Sequence, residues 1–551
     1  MVLAALAVWP AFGQIAPGAR PEPLDIPIGP ATPPGTVDLK VPPPSAKRLV
    51  LSTTVLVRAF RFSGLRSVHE DELRELLSPW TGRQLTGDEL NRVAEAVTNH
   101  LRAGGLLVAQ AFVPAQEIQD GVVEIGVLEG RIGAVALEVL DGVRLRPGVA
   151  ERFLDSIRPD ETIRRDNVEH SLLLLNDLPG TRLDASLEAG TQPDTADLRV
   201  RVRDDGNRIA GTLALDNAGL RATGENRADL NVRVRSPLNL GDLLTARYLQ
   251  SSGAGQTLAS LTYGLPVNSL GTRVGLRVSE QRYHLRKEFT PLDANGEYRA
   301  VSILASHPLL RRSDGNLSLA ASYSQLEFQD RVGAVNLASD SRHRVTGLGL
   351  LFDNRDRWLG GGANLLQVQQ LMGRASQSDP FYSALDTAPG GLNVYGRYAV
   401  TRLRAQREQA LDSQWSMFAA VNGQMASRNL DAGSELAVGG PEAVRGYPVG
   451  ELYADEGFVA RFELRRRFAL SDDSRTVVAA FLDQARVRVN RNPLSGDPAN
   501  RRGLGAYGLG VAHAAGENIR IQTWLAWRTG EPPTAAPDRS PRIWVSLILG
   551  F

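Results

Sequence analysis

Phe458-Val-Ala-Arg-Phe-Glu-Leu-Arg-Arg-Arg-Phe468 decides the fold. Phe458, Ala460, Phe462 and Leu464 interleave with Arg461, Glu463 and Arg465. A period of two puts the two sets on opposite faces of an extended strand. Just before it lies a polar, glycine-bearing loop, residues 426–455, that carries Val444-Arg445-Gly446-Tyr447. One strand further on comes Phe481-Leu482-Asp483. An arginine in a long loop and an aspartate on a strand have little use on a soluble surface. They make sense if the loop folds back into a β-barrel and the arginine meets the carboxylate on the inner wall.

The same alternation recurs along residues 206–551. Leu230, Val232 and Val234 interleave with Asn231, Arg233 and Arg235, and Val274, Leu276 and Val278 with Arg273, Gly275 and Arg277. A soluble sandwich also alternates, but with shorter strands. A transmembrane barrel needs a lipid-facing wall and a wet lumen over its whole length. At roughly 20–22 residues per strand and turn, the region holds about sixteen antiparallel strands, an even number as such barrels prefer. The last strand runs from Arg542 to Phe551, with Ile543, Val545, Leu547, Leu549 and Phe551 on one face. As an open edge, that face would invite aggregation; closed into a barrel, it does not.

Upstream, the period becomes helical. Val55 to Gly64 reads as a strand, and residues 68–77 as a helix stopped by Pro79. Thr86 and Glu89 form a capping box ahead of the stripe Leu90, Val93, Ala94, Val97 and Leu101. Strands follow at Leu107 to Val113 and Val122 to Leu128. A second unit, residues 132–205, repeats the pattern: a strand from Ala134, helices near Val149 to Ile157 and Arg165 to Asn176, then strands at Arg182 to Glu188 and Asp197 to Val202. The reading is thus two small α/β units, 53–131 and 132–205, ahead of a barrel, 206–551.

Residues 1–20 read as a secretory signal, because Met1 to Gly13 is apolar but too short to span a bilayer as a helix. Residues 21–52 read as an extended proline-rich linker. The 551 residues carry a net charge of +1, which gives no argument for nucleic acid as partner. Without cysteine there are no disulfides or thiolate metal sites. The seven histidines are scattered with no HExxH pair, and none of the three lysines, Lys40, Lys47 and Lys287, follows a glycine. No metal site, P-loop or catalytic constellation can be nominated, so no cofactor and no enzymatic activity are expected. Gly503-Leu-Gly505-Ala-Tyr-Gly508 spells GxGxxG but lies inside an alternating strand, where no dinucleotide site forms.

Several strings resemble one family. Gly82-Arg83-Gln84-Leu85-Thr86, Val113-Pro114-Ala115-Gln116 and Leu128-Glu129-Gly130 resemble the first periplasmic POTRA domain of two-partner secretion transporters. Leu175-Asn176-Asp177-Leu178-Pro179-Gly180 and Thr195-Ala196-Asp197-Leu198 resemble the second. Read alone, Pro179-Gly180 is only a turn. Leu215-Asp216-Asn217-Ala218-Gly219 and Pro237-Leu238-Asn239-Leu240-Gly241-Asp242 resemble the opening hairpin of their barrel. With the arginine loop, the Phe481-x-Asp483 pair and the terminal Phe551, the chain from about residue 50 resembles the haemolysin activation/secretion type. The resemblance implies a Gram-negative outer-membrane translocator with periplasmic POTRA domains. It would take an unfolded exoprotein bearing an N-terminal secretion domain and export it without nucleotide hydrolysis. An outer-membrane barrel-assembly factor of the same superfamily and a passive porin are the alternatives. Members of the family often carry an N-terminal plug helix, and no amphipathic helix is visible before the first module here.

The site expectation is specific. Arg445 and Asp483 form an ion pair that pins the loop, with Tyr447 and Phe481 packed nearby. Because a barrel lumen is wet, the pair is expected to be worth about 1 kcal/mol, as exposed pairs are.

Overall fold

The computed structural model describes residues 38–41, 54–471, 473–493 and 500–551. The expected signal segment and most of the expected linker lie outside these residues.

The first module packs helices Glu70–Leu77 and Gly87–Ala103 against small sheets through Leu73, Leu77, Leu90, Val93, Val97 and Leu101, all buried. The capping box forms: the Glu89 amide donates to Thr86 Oγ1 (3.2 Å) and the Thr86 amide to Glu89 Oε2 (2.7 Å). The expected strand from Val55 to Gly64 is instead two. Val55–Val57 pairs with Arg83–Leu85, whereas Ala59–Ser63 runs parallel to Val122–Leu128. The break falls at Arg58, whose amide turns aside to the Gly121 carbonyl. The expected strand at Leu107 to Val113 shrinks to Gln110–Phe112.

In the second unit, helices Pro147–Leu154 and Arg165–Asn176 cover one sheet of order 38–40, 181–189, 195–204, 131–139. Its outer strand corrects the linker assignment. Asp38–Lys40 pairs parallel with Thr181–Ala189, and Leu39 and Val41 pack on the core. An edge strand flanked by prolines is allowed, because only one side must hydrogen-bond.

Among the described residues, the remaining strands close a barrel of sixteen, from Ile209–Asp216 to Arg542–Gly550, every neighbouring pair antiparallel. Closure removes both edges. The outer wall is apolar: Phe458, Phe462, Leu464, Val478, Leu482, Ile543 and Val545 point outward, whereas Val459, Glu463, Phe481, Asp483 and Trp544 are buried inside. Short turns cluster at one end, such as those after Arg235 and Arg311; long loops cluster at the other. Central strands are long. Leu337–Asp356, with twenty residues, extends well past an apolar band of about 25 Å.

The second unit sits on the short-turn end. Arg311, at the end of strand Ala294–Arg311, holds the Asp177 carboxylate bidentately at 2.7 and 2.8 Å, and Arg273 donates to the Asp177 carbonyl at 2.6 Å. Leu178 packs against Gly241, and Gly180, at φ +86°, lies beside Arg235 and Ser236.

Candidate functional site

Strand Trp415–Ala426 ends and strand Glu456–Ser471 begins on either side of the 426–455 loop. The loop turns into the barrel. Gly440 and Gly450 adopt φ of +109° and +83°, which β-carbon-bearing residues avoid. Gly446 serves differently: a β-carbon there would lie 2.9 Å from Arg528 Cα and from Ala506 Cβ. Only glycine lets the loop backbone come this close to the wall.

The approach delivers Arg445 to a closed set of partners. Its Nε donates to Asp483 Oδ2 at 2.8 Å and its Nη2 to Asp483 Oδ1 at 2.6 Å. Its backbone amide adds a bond to Asp483 Oδ2 at 3.0 Å. The remaining nitrogen, Nη1, reaches Glu463 Oε1 at 2.8 Å. The guanidinium carbon lies 3.6 Å from the centre of the Phe481 ring and 4.3 Å from that of Trp524. Trp544 Nε1 donates to the Arg445 carbonyl at 2.8 Å. A planar fork suits this set as an ammonium group does not. Around it, Glu463 also holds Arg465 at 2.8 Å, and Val438, Val444 and Tyr447 are buried. The Tyr447 hydroxyl donates to the Glu531 carbonyl at 3.1 Å.

The structure brings Arg445, Asp483, Tyr447 and Phe481 together, and corrects the setting. Arg445 is 0% exposed and so is the Asp483 side chain. The loop itself excludes water here, so the estimate for a wet lumen does not apply.

Glu463, Trp524 and Trp544 were not singled out as partners. Glu463 carried a signal: it shares the polar face with Arg461 and Arg465, on a strand whose register sets it opposite Phe481. The tryptophans come from strands Ile519–Arg528 and Arg542–Gly550, and no local pattern ties them to residue 445.

The other motif residues hold structure. Gln116 uses both ends of its amide on the Glu124 backbone, at 2.7 and 2.8 Å, and so extends the sheet past Phe112. Pro114 precedes that contact, and its carbonyl accepts from Gln116 at 3.3 Å. Buried Glu129 accepts from the amides of Arg66 and Ser67 at 2.6 and 2.8 Å. Pro179 and Gly180 belong to the segment that meets the barrel turns. Phe551 exchanges two backbone bonds with Gly211 across the closing seam, at 2.8 and 3.0 Å. The GxGxxG string lies in strand Arg501–Ala515. Its Gly508 leaves room for the Phe481 ring, 2.6 Å from where a β-carbon would sit.

A barrel with an apolar outer wall, a loop locked inside it and α/β modules on its short-turn end defines an outer-membrane translocator. The chain belongs to the family of haemolysin secretion/activation proteins ShlB/FhaC/HecB, whose model matches residues 194–512. Residues 55–130 match a POTRA domain of the ShlB type. The chain is 24% identical over 491 residues to the heme/hemopexin transporter protein HuxB of Haemophilus influenzae strain 86-028NP, covering 88% of this chain and 85% of that one. It is 21% identical over 413 residues to the outer membrane transporter CdiB of Escherichia coli O6:K15:H31, covering 73% and 67%. Its fold is similar to the solved structure of CdiB from Escherichia coli, with a TM-score of 0.71 at 19% identity over 92% and 93% of the two chains. The protein is a two-partner secretion transporter: it lies in the outer membrane, with its POTRA region in the periplasm, and exports a partner exoprotein through the barrel.

Proposed function

We propose that residues 132–205 form a second POTRA domain and that the two modules receive the unfolded exoprotein by its N-terminal secretion domain. The observation that carries this reading is an open sheet edge. In the second unit, Arg131–Val139 pairs with Thr195–Asp204 on one side; on the other, Ile132 is bonded to Asp160 and Glu161, and the sheet order leaves residues 133–139 as an edge among the described residues. That edge offers backbone hydrogen bonds to an extended chain without demanding one sequence. The chain then enters the lumen past the 426–455 loop, which the Arg445 set holds in its inward position. Folding of the cargo outside gives the direction, with no cofactor and no nucleic acid involved, while the outer wall stays in lipid. Deleting residues 54–203 tests the docking role. The barrel should insert at normal levels and secrete nothing; normal secretion by the truncated protein refutes the reading.

A further inference from the structure

The long-loop end holds a cavity of about 540 Å³. It lies where the first and last strands separate. Their ladder ends at Asp216↔Ser546. Beyond it, Asn217 bridges the gap: its amide donates to the Val545 carbonyl at 3.3 Å, and its side chain donates to the Ile543 carbonyl at 2.9 Å and accepts from the Val545 amide at 2.8 Å. Outward-facing Ile543 and inward-facing Trp544 both line the cavity. The cavity therefore reaches the outer wall, at the end opposite the POTRA-bearing turns.

Its charge is unbalanced. Arg221, Lys287, Arg539 and Arg542 line it, against Glu225 alone. Arg221 is held by Glu288 at 3.0 and 3.2 Å, Lys287 by Glu225 at 2.9 Å, and Arg539 lies 3.6 Å from Glu225. Arg542 is different. It is only 4% exposed, and its Nε has no hydrogen-bond partner. Its Nη2 makes one long bond, 3.4 Å, to the Pro537 carbonyl. Glu225, Glu451 and Asp538 act on it through space, but its buried Nε stays unsatisfied, which is costly, and an anion in the cavity removes that cost.

We propose that this cavity binds a phosphomonoester, with Arg542 as its anchor and Arg539 and Lys287 at its rim. Guanidinium forks match phosphate oxygens, and the surplus of cations suits a dianion better than a single carboxylate. The volume accepts a sugar phosphate. The opening beside lipid-facing Ile543 places the site at the depth of outer-leaflet headgroups, where basic pockets hold lipid phosphates. A phosphorylated headgroup and free phosphate are the two sources of this chemistry. Trp544 forms part of the wall and also holds the Arg445 carbonyl, so an occupant touches a side chain that secures the inward loop.

The test uses the full chain in detergent titrated with inorganic phosphate, and in phosphatidylcholine nanodiscs carrying either lipid A or lipid A stripped of phosphate. Saturable phosphate binding is expected, together with a rise in melting temperature by linkage. Arg542→Gln should weaken binding about tenfold, as loss of a charge-assisted contact does. Without ligand, Arg542→Gln should melt at or above the wild-type temperature, because it removes a buried guanidinium whose Nε has no partner. Retention of lipid A over its stripped form supports a lipid source; binding of free phosphate with no preference between lipids supports a soluble one. Absence of saturable binding by either probe overturns the proposal. So does wild-type affinity in Arg542→Gln, or an equal drop in its melting temperature with and without phosphate.

Discussion

Arg445→Ala removes the cation from a dry site, and its effect can be worked from the contacts. Asp483 loses the bidentate fork at 2.6 and 2.8 Å and keeps only the residue-445 amide at 3.0 Å. Stripping the partner from a buried charge costs about 3–5 kcal/mol. At about 1.4 kcal/mol per factor of ten, the docked-to-released ratio of the loop falls between about a hundredfold and a few thousandfold. Asp483→Ala should do less. Arg445 then keeps Glu463 at 2.8 Å, and the loss is that of charge-assisted hydrogen bonds, about 1.5–3 kcal/mol. The double variant removes both charges and leaves Glu463 with Arg465, so it should be milder than Arg445→Ala alone. Because the chain has no cysteine, Val438→Cys is a clean reporter: it is buried in the docked loop and reacts with maleimide only on release. Labelling rates in membranes give the loop equilibrium, and secretion and outer-membrane levels are scored alongside. Secretion should fall while outer-membrane levels hold. Additive losses in the double variant, or wild-type labelling and secretion by Arg445→Ala, refute the pairing.

Three further outcomes follow from other contacts. Arg311→Ala should free the second module from the barrel by about 1.5–3 kcal/mol, since Arg311 and Asp177 are largely buried against each other; faster proteolysis near residues 205–208 checks it. Acidification should loosen the same junction. Burial first, and then the charges of Arg311 and His307, hold the His170 pKa below its ordinary value of 6.5, with an opposing contribution from a hydrogen bond to the Arg311 backbone. The released state therefore takes up the proton first. Docking is strongest above pH 6.5 and weakens as pH falls from there through the lower docked-state pKa, a dependence that His170→Gln should flatten. Gly508→Ala should impair barrel assembly, because its β-carbon would meet the Leu525 carbonyl oxygen at 2.0 Å and the Phe481 ring at 2.6 Å. Overpacking of this kind costs about 1–3 kcal/mol, and the folded fraction is read by heat-modifiable gel mobility.

The barrel was legible because a period of two reports both the strand and the side of the wall. Phe458 and Phe462 face out and Glu463 faces in for that reason alone. The pairing of Arg445 with Asp483 was legible because a glycine-bearing loop and an inward carboxylate beside Phe481 need each other. Dryness was not. It depends on the loop filling the space above Asp483 and on Trp524 and Trp544 arriving from strands closed by barrel curvature, which alternation does not encode. The short elements were missed for a simpler reason. Asp38–Lys40 is three residues, and the split at Arg58 is set by a turn more than sixty residues away, at Gly121.

The place of the dry cluster follows from where the wall is least secured. The backbone bonds between the first and last strands reach only from Gly211 and Phe551 to Asn217 and Val545, whereas the ladder between strands Gly315–Val332 and Leu337–Asp356 runs their whole shared length. The inward loop braces the seam's outer end from within. On one side, Gly450 lies against Leu220, with no room for a β-carbon. On the other, Trp544 holds the Arg445 carbonyl, Tyr447 reaches Glu531, and Glu451 accepts from the amides of Thr534 and Ala535 at 3.0 and 3.1 Å. Arg445 therefore secures the loop and, through the loop, both banks of the seam. Its removal should raise hydrogen exchange in residues 217–224 and 531–544 together. Loss of the Arg311–Asp177 contact, at the far end of the barrel, should leave both segments protected.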